Sequence, residues 1–170
     1  MRSNKKFTNT TFTKRVDHEE GHKSSKHPAK PAICTECHAV YAKERWILGR
    51  IAAKSAEFNE VEFRATLCPA CSQIKNGEPA GFVFIDGAFL AEHKAEIENH
   101  LRNENKETAV KNPLARIMAV KQAKNGLEVT TTTEHLAQKL GRSLNDAFGG
   151  EVRYDFSHEN KLARVYWHRD

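Results

Sequence analysis

Two cysteine pairs constrain this chain more than any other feature. Cys34-Thr-Glu-Cys37 and Cys68-Pro-Ala-Cys71 share one spacing, lie thirty residues apart and use all four cysteines. Two residues between thiolates let one tight turn aim both sulfurs at a common point. Two such turns complete a tetrahedron, which zinc accepts because its filled d shell imposes no other geometry. Four protein ligands close the coordination shell and leave no position for an activated water, so one structural zinc ion is expected. By analogy with zinc-finger peptides, binding would contribute on the order of 10 kcal/mol to folding of this module. The segment between the pairs exceeds the roughly 15–20 residues of compact sites. A hairpin projecting between the two turns would account for its length. Four thiolates around one dication leave the site negative unless Lys43, Arg45 or Lys75 lies close.

Other chemistries share parts of this pattern. Cys34-Thr-Glu-Cys37-His38 matches the C-x-x-C-H of haem attachment, but that reading leaves Cys68 and Cys71 without a role. A dithiol redox pair needs a low-pKa thiol at a helix start in a βαβ setting, and no such pattern precedes either pair. An iron–sulfur cluster takes the same four ligands and would colour the purified protein. Cysteine pairs in a reducing compartment serve as metal ligands or redox pairs more often than as structural disulfides. The sequence has no run of about 18 apolar residues and no apolar stretch behind its basic start, so a cytoplasmic, non-membrane location is expected. His38 reads as a surface side chain beside a ligand set that is already complete.

Charge is distributed unevenly. The chain of 170 residues carries a net charge of +5. Residues 1–33 hold eight Lys/Arg against three Asp/Glu, which accounts for all of the excess. Beyond Phe7 and Phe12 this stretch has almost no large apolar side chains, so it cannot bury enough surface to offset its ordering entropy. The expected organisation is a disordered basic arm over residues 1–30, a zinc ribbon over 31–80 and an α+β domain over 81–170. A basic arm on a neutral body suits a polyanion; the alternative is a solubilising tail. Lys5, Lys6, Lys14 and Arg15 could neutralise phosphates without sequence preference. Lys43, Arg45, Trp46 and Arg50, with Tyr41, interleave cations and rings between the cysteine pairs, as nucleic-acid contacts do. Tyr41 and Trp46 could equally form the small core of the ribbon.

The remainder reads as α+β. Gly81-Phe-Val-Phe-Ile-Asp86 has the aromatic and β-branched content of a strand, with Asp86 a candidate cap for a helix from Gly87. Leu90, Lys94, Ile97 and Leu101 mark one weak helical face, and Asn112-Pro113 ends it. Runs from Arg116 to Gln122 and Leu127 to Thr132 flank Lys124-Asn125-Gly126, a hairpin signal. Thr133 can cap a helix whose face is Leu136, Leu140, Leu144 and Phe148, stopped by Gly149-Gly150. Val152, Tyr154 and Phe156 alternate with polar residues, and so do Ala163, Val165 and Trp167 after a turn over Ser157 to Lys161. Trp167 is expected inside and Tyr166 outside. The order strand, strand, helix, strand, strand predicts one antiparallel sheet with a helix on a single face. Thr130 to Thr133 reads as a strand end plus a helix cap more simply than as a phosphate site.

The cysteine pairs, the Gly81-to-Gly87 strand with its charged helix, and the stretch from Val129 to Val152 together resemble a known family. It is the zinc-containing N-terminal part of the large-ribosomal-subunit export adaptor, nonsense-mediated decay protein three, with small bacterial proteins of the same arrangement. The likeness spans roughly residues 30–170. That family typically has two sets of four cysteines and further C-terminal domains, which this chain does not show, so export does not carry over. The resemblance implies ribosome or structured-RNA association without catalysis. No nucleophile elbow, phosphate-binding loop or dinucleotide fingerprint appears in the sequence. A non-catalytic RNA- or ribosome-associated zinc protein is therefore expected, with a protein–protein adaptor or regulator as the alternative.

Overall fold

A computed structural model describes residues 31–58, 61–157 and 162–170. Its chain builds two sheets, and the α+β class expected from the sequence is what forms. The arm segment 1–30, with Lys5, Lys6, Lys14 and Arg15, lies outside the described residues, as does most of the expected turn after Ser157.

The first sheet is small. It comprises β1 (Ala32–Cys34), β2 (Val40–Ala42), β3 (Arg45–Ile47) and β4 (Arg64–Thr66), ordered β3-β2-β1-β4. Strands β2 and β3 form a hairpin within the segment between the cysteine pairs, as expected from its length. Its turn places Lys43 and Glu44 at positive φ, 51° and 60°, the backbone that tight hairpin turns demand. A short helix α1 (Gly49–Ala52) and a 3-10 turn (Ala56–Phe58) follow, and β4 then returns parallel to β1. Helix α2 (Pro69–Asn76) starts with proline in its first turn, where no amide partner is needed, and stops at Gly77 in a left-handed conformation. Tyr41 and Trp46 pack their rings 5.4 Å apart and are 5% and 8% exposed. They build the core of the ribbon, so Trp46 offers no free ring face to a base.

The second sheet holds β5 (Gly81–Asp86), β6 (Ile117–Ala123), β7 (Gly126–Thr131), β8 (Glu151–Ser157) and β9 (Leu162–His168), ordered β6-β7-β5-β9-β8. The sequence implied that the last four strands pair among themselves in antiparallel fashion. Instead β5 enters between β7 and β9 and runs parallel to β9. The reason is burial. Val83 and Ile85 on the inner face of β5 are at most 1% exposed, and only a central strand can cover both its edges and that face. The hairpins β6–β7 and β8–β9 are antiparallel, as expected.

Helices α3 (Ala88–Lys111) and α4 (Glu134–Phe148) cover one face of this sheet. Leu136, Leu140 and Leu144 of α4 and Leu90, Ile97 and Leu101 of α3 are buried against Val83, Val129, Val165 and Trp167 in one core. Lys94 turns outward and bonds Gln122 at 2.8 Å. Thr133 caps α4, its hydroxyl accepting the Leu136 N–H at 3.2 Å. Gly141 lets α4 approach β9, since a Cβ there would lie 2.4 Å from a Val165 methyl.

Asp86 does not cap α3. The N-cap is Gly87, whose φ of 110° suits glycine. The chain's last residues cap instead: the Phe89 amide donates to the Arg169 carbonyl at 3.2 Å and the Ala88 amide to Asp170 at 3.4 Å. Asp86 is occupied by the His168 ring at 2.6 Å, and Asp170 takes the other ring nitrogen at 3.2 Å.

Leu140 is fully buried, so Leu140→Ala should cost about 2–5 kcal/mol by denaturant unfolding. The bond to Asp86, then that to Asp170, holds the His168 pKa above its ordinary 6.5. The stabilising charge pairing is therefore complete below pH 6.5 and is lost as pH rises through the folded-state value. An NMR titration should place the His168 midpoint above 6.5 and move it down in Asp86→Asn.

Candidate metal centre

Each cysteine pair is set by its local backbone. Cys34 ends β1, and the turn that follows closes with the His38 amide on the Cys34 carbonyl at 3.0 Å. His38 itself takes φ 57° to complete that turn. Cys68 is the N-cap of α2, and its sulfur accepts the Cys71 amide at 3.4 Å. The parallel pairing of β1 with β4 brings the two turns side by side, with Cys34 opposite Thr66. The Cys68 amide donates to the Cys34 sulfur at 3.3 Å across this junction.

The four sulfurs all lie within 4.8 Å of one another. Cys37 and Cys68 are 3.7 Å apart at sulfur. A tetrahedron with Zn–S bonds of about 2.3 Å has S···S edges of about 3.8 Å, whereas a disulfide needs about 2.05 Å. All four cysteines are unpaired thiols. Cys34 and Cys68 are fully buried and Cys71 nearly so. Size, donor type and seclusion thus fit one four-coordinate ion, and every cysteine singled out in the sequence belongs to the cluster.

Proton affinities within the cluster are split. Burial pushes the Cys68 and Cys71 thiols up. Burial acts the same way at Cys34, but the amides of Cys37, Cys68 and Glu36 outweigh it and bring that thiol down to about 6. A group of buried sulfurs with such uneven demands for protons is relieved when all four become thiolates on one dication.

The compensating cation is one the sequence did not single out. Lys43 is engaged with Glu57 at 2.7 Å on the ribbon surface. Arg45, Arg50 and Lys75 are exposed. Arg116, from the segment leading into β6, reaches the cluster: one terminal nitrogen lies 2.9 Å from the Cys37 sulfur and 3.7 Å from that of Cys68, and the other lies 3.4 Å from that of Cys71. Burial works against its charge, but the Cys37, Cys68 and Cys71 sulfurs more than offset this and raise its pKa. In sequence Arg116 looks like the polar first residue of a strand, 79 positions from Cys37. An arginine beside a helix-ending Asn-Pro is the only local signal, and it does not specify a partner.

The chain matches no family model and no curated protein.

Zinc or cobalt titration should saturate at one ion per chain and release thiol protons, measured by absorbance of the cobalt–thiolate bands. Cys34→Ser or Cys68→Ser should abolish tight binding. Chelation should remove the near-UV signals of Tyr41 and Trp46 and lower thermal stability.

Proposed function

We propose that this is a non-catalytic protein built around one structural zinc ion, and that it associates with structured RNA, the ribosome being the foremost candidate. The observation that carries the reading is a row of aromatic side chains on the sheet face opposite the helices. Phe82 and Phe84 of β5 stack with planes 3° apart, and Phe84 stacks on Tyr166 of β9 at 5.1 Å. Arg153 of β8 lies over the Tyr166 ring at 4.6 Å. These rings alternate with the buried Val83, Ile85 and Val165, so they point away from the core.

A half-exposed ladder of this kind stabilises cross-strand pairing, and a solvent-facing group of rings with an arginine is also the combination of residue types on which unpaired bases stack. Phosphate attraction would come from the arm, where the whole net positive charge resides. Lys43, Arg45 and Arg50, exposed on the ribbon, would add to it. The metal centre supports a rigid docking head because its four protein ligands leave no open coordination position. The resemblance to the export-adaptor family points the same way.

Sedimentation with ribosomal particles across a salt series tests the reading. The full chain should co-sediment at low salt and dissociate as salt rises, and a chain shortened to begin at Pro31 should lose most of both effects. Phe84→Leu with Tyr166→Leu should weaken binding of single-stranded RNA at least about tenfold, given about 1–3 kcal/mol per stacked base. A protein that purifies free of nucleic acid and ignores both ribosomal particles and RNA would favour the protein-adaptor alternative.

A further inference from the structure

Arg116 belongs to the larger sheet, yet its side chain ends among the sulfurs of the ribbon. Its backbone is fixed on the sheet side: the Arg116 amide donates to the Thr132 hydroxyl at 2.8 Å, and the Thr132 amide donates to the Arg116 carbonyl at 2.9 Å. Its Nε donates to the Pro113 carbonyl at 2.6 Å, which sets the plane of the guanidinium. The flanking residues divide between the two cores. Leu114 packs on the ribbon cluster with Tyr41 and Trp46, and Ala115 is buried in the sheet core. The Thr132 hydroxyl also donates to the Leu114 carbonyl at 2.6 Å, and the next residue, Thr133, caps α4.

The electrostatics give this contact a definite role. Four thiolates and one dication carry a net charge of −2, and burial makes that charge costly. A fixed guanidinium removes one unit. Its N–H groups also withdraw electron density from three sulfurs, which lowers their basicity and slows their protonation or capture by competing ligands.

We propose that Arg116 is the positioning residue of the metal centre, its guanidinium forking between sulfurs from both cysteine pairs so that holding the ion and docking the ribbon on the larger sheet become one event. The inference rests on the four-thiolate reading of the site and is independent of RNA association. Each N–H···S bond is stronger to a thiolate than to a thiol, and the bound ion keeps the sulfurs deprotonated. Loss of the ion therefore loosens the 113–116 bridge, and removal of the fork exposes the sulfurs to solvent.

The test uses the full-length chain loaded with zinc or with cobalt, comparing wild type with Arg116→Gln and Arg116→Lys. Zinc transfer to a chromogenic chelator should be about tenfold faster or more in Arg116→Gln, the range seen when outer partners of metal ligands are removed. Arg116→Lys, which keeps the charge and loses the fork, should fall between. In the cobalt form, loss of N–H···S bonds raises the sulfur lone pairs, so the sulfur-to-cobalt charge-transfer band should move to longer wavelength in the same order. Hydrogen exchange at the Arg116 and Thr132 amides should accelerate on chelation of the wild type and be already fast in Arg116→Gln. If Arg116→Gln does not fold, the intermediate behaviour of Arg116→Lys carries the test. Either folded variant matching wild type in both release rate and band position overturns the proposal. A wild-type titration without tetrathiolate bands overturns both it and the metal reading.

Discussion

Bringing four sulfurs within 4.8 Å of one another is the constraint on which the ribbon over residues 31–80 depends. Its other resources are modest: three-residue strands, helices of four and eight residues, and two small apolar clusters, one around Tyr41 and Trp46 and one of Val40, Ala42 and Ala52 with Ile33, Ile47, Phe58 and Phe63. Such a module buries too little apolar area to offset its ordering entropy unaided. The parallel contact of β1 with β4 is also a costly one to form, because it closes a loop of about thirty residues with only three paired positions on each strand. An ion shared by the two turns would supply the missing free energy at the point where that loop closes.

The guanidinium of Arg116 extends this constraint across the boundary between sheets. The surface of the ribbon that faces the larger domain is sulfur-rich and electronegative, and the larger domain meets it with a side chain that is both cationic and planar. A lysine would offer one strongly hydrated point charge. Arginine spreads its donors in a fixed plane and is more weakly hydrated, so it enters a half-buried seam at lower cost. The short stretch Pro113 to Arg116 thereby serves two cores at once.

Much of this was legible in the residues. The cysteine spacing specifies the sulfur cluster because ligand geometry is local: two residues between thiols leave few other arrangements. The alternation in β8 and β9, the i+4 leucines of α4 and the Thr133 cap are likewise local, and each appears where the pattern put it. What the sequence hid is non-local. Nothing within β5 reveals that it pairs in parallel with a strand some eighty residues later, since a central strand and an edge strand of six residues read alike. The choice between Trp46 as a binding ring and Trp46 as a core ring turned on whether a hairpin would fold over it. Asp86 looked like a helix cap because the carbonyl of Arg169, which fills that role, is 83 positions further along the chain.

The central placement of β5 bears on how the protein comes into being. During synthesis the ribbon and the β5–α3–β6–β7 portion emerge first, and β7 can zip onto one side of β5 at once. The other side, an unsatisfied row of amides and carbonyls beside Val83 and Ile85, must wait for residues 162–168 to leave the exit tunnel. Until then the nascent chain presents an apolar edge able to recruit a foreign strand. The time taken to synthesise and release residues 132–168 therefore sets how long this edge stays open.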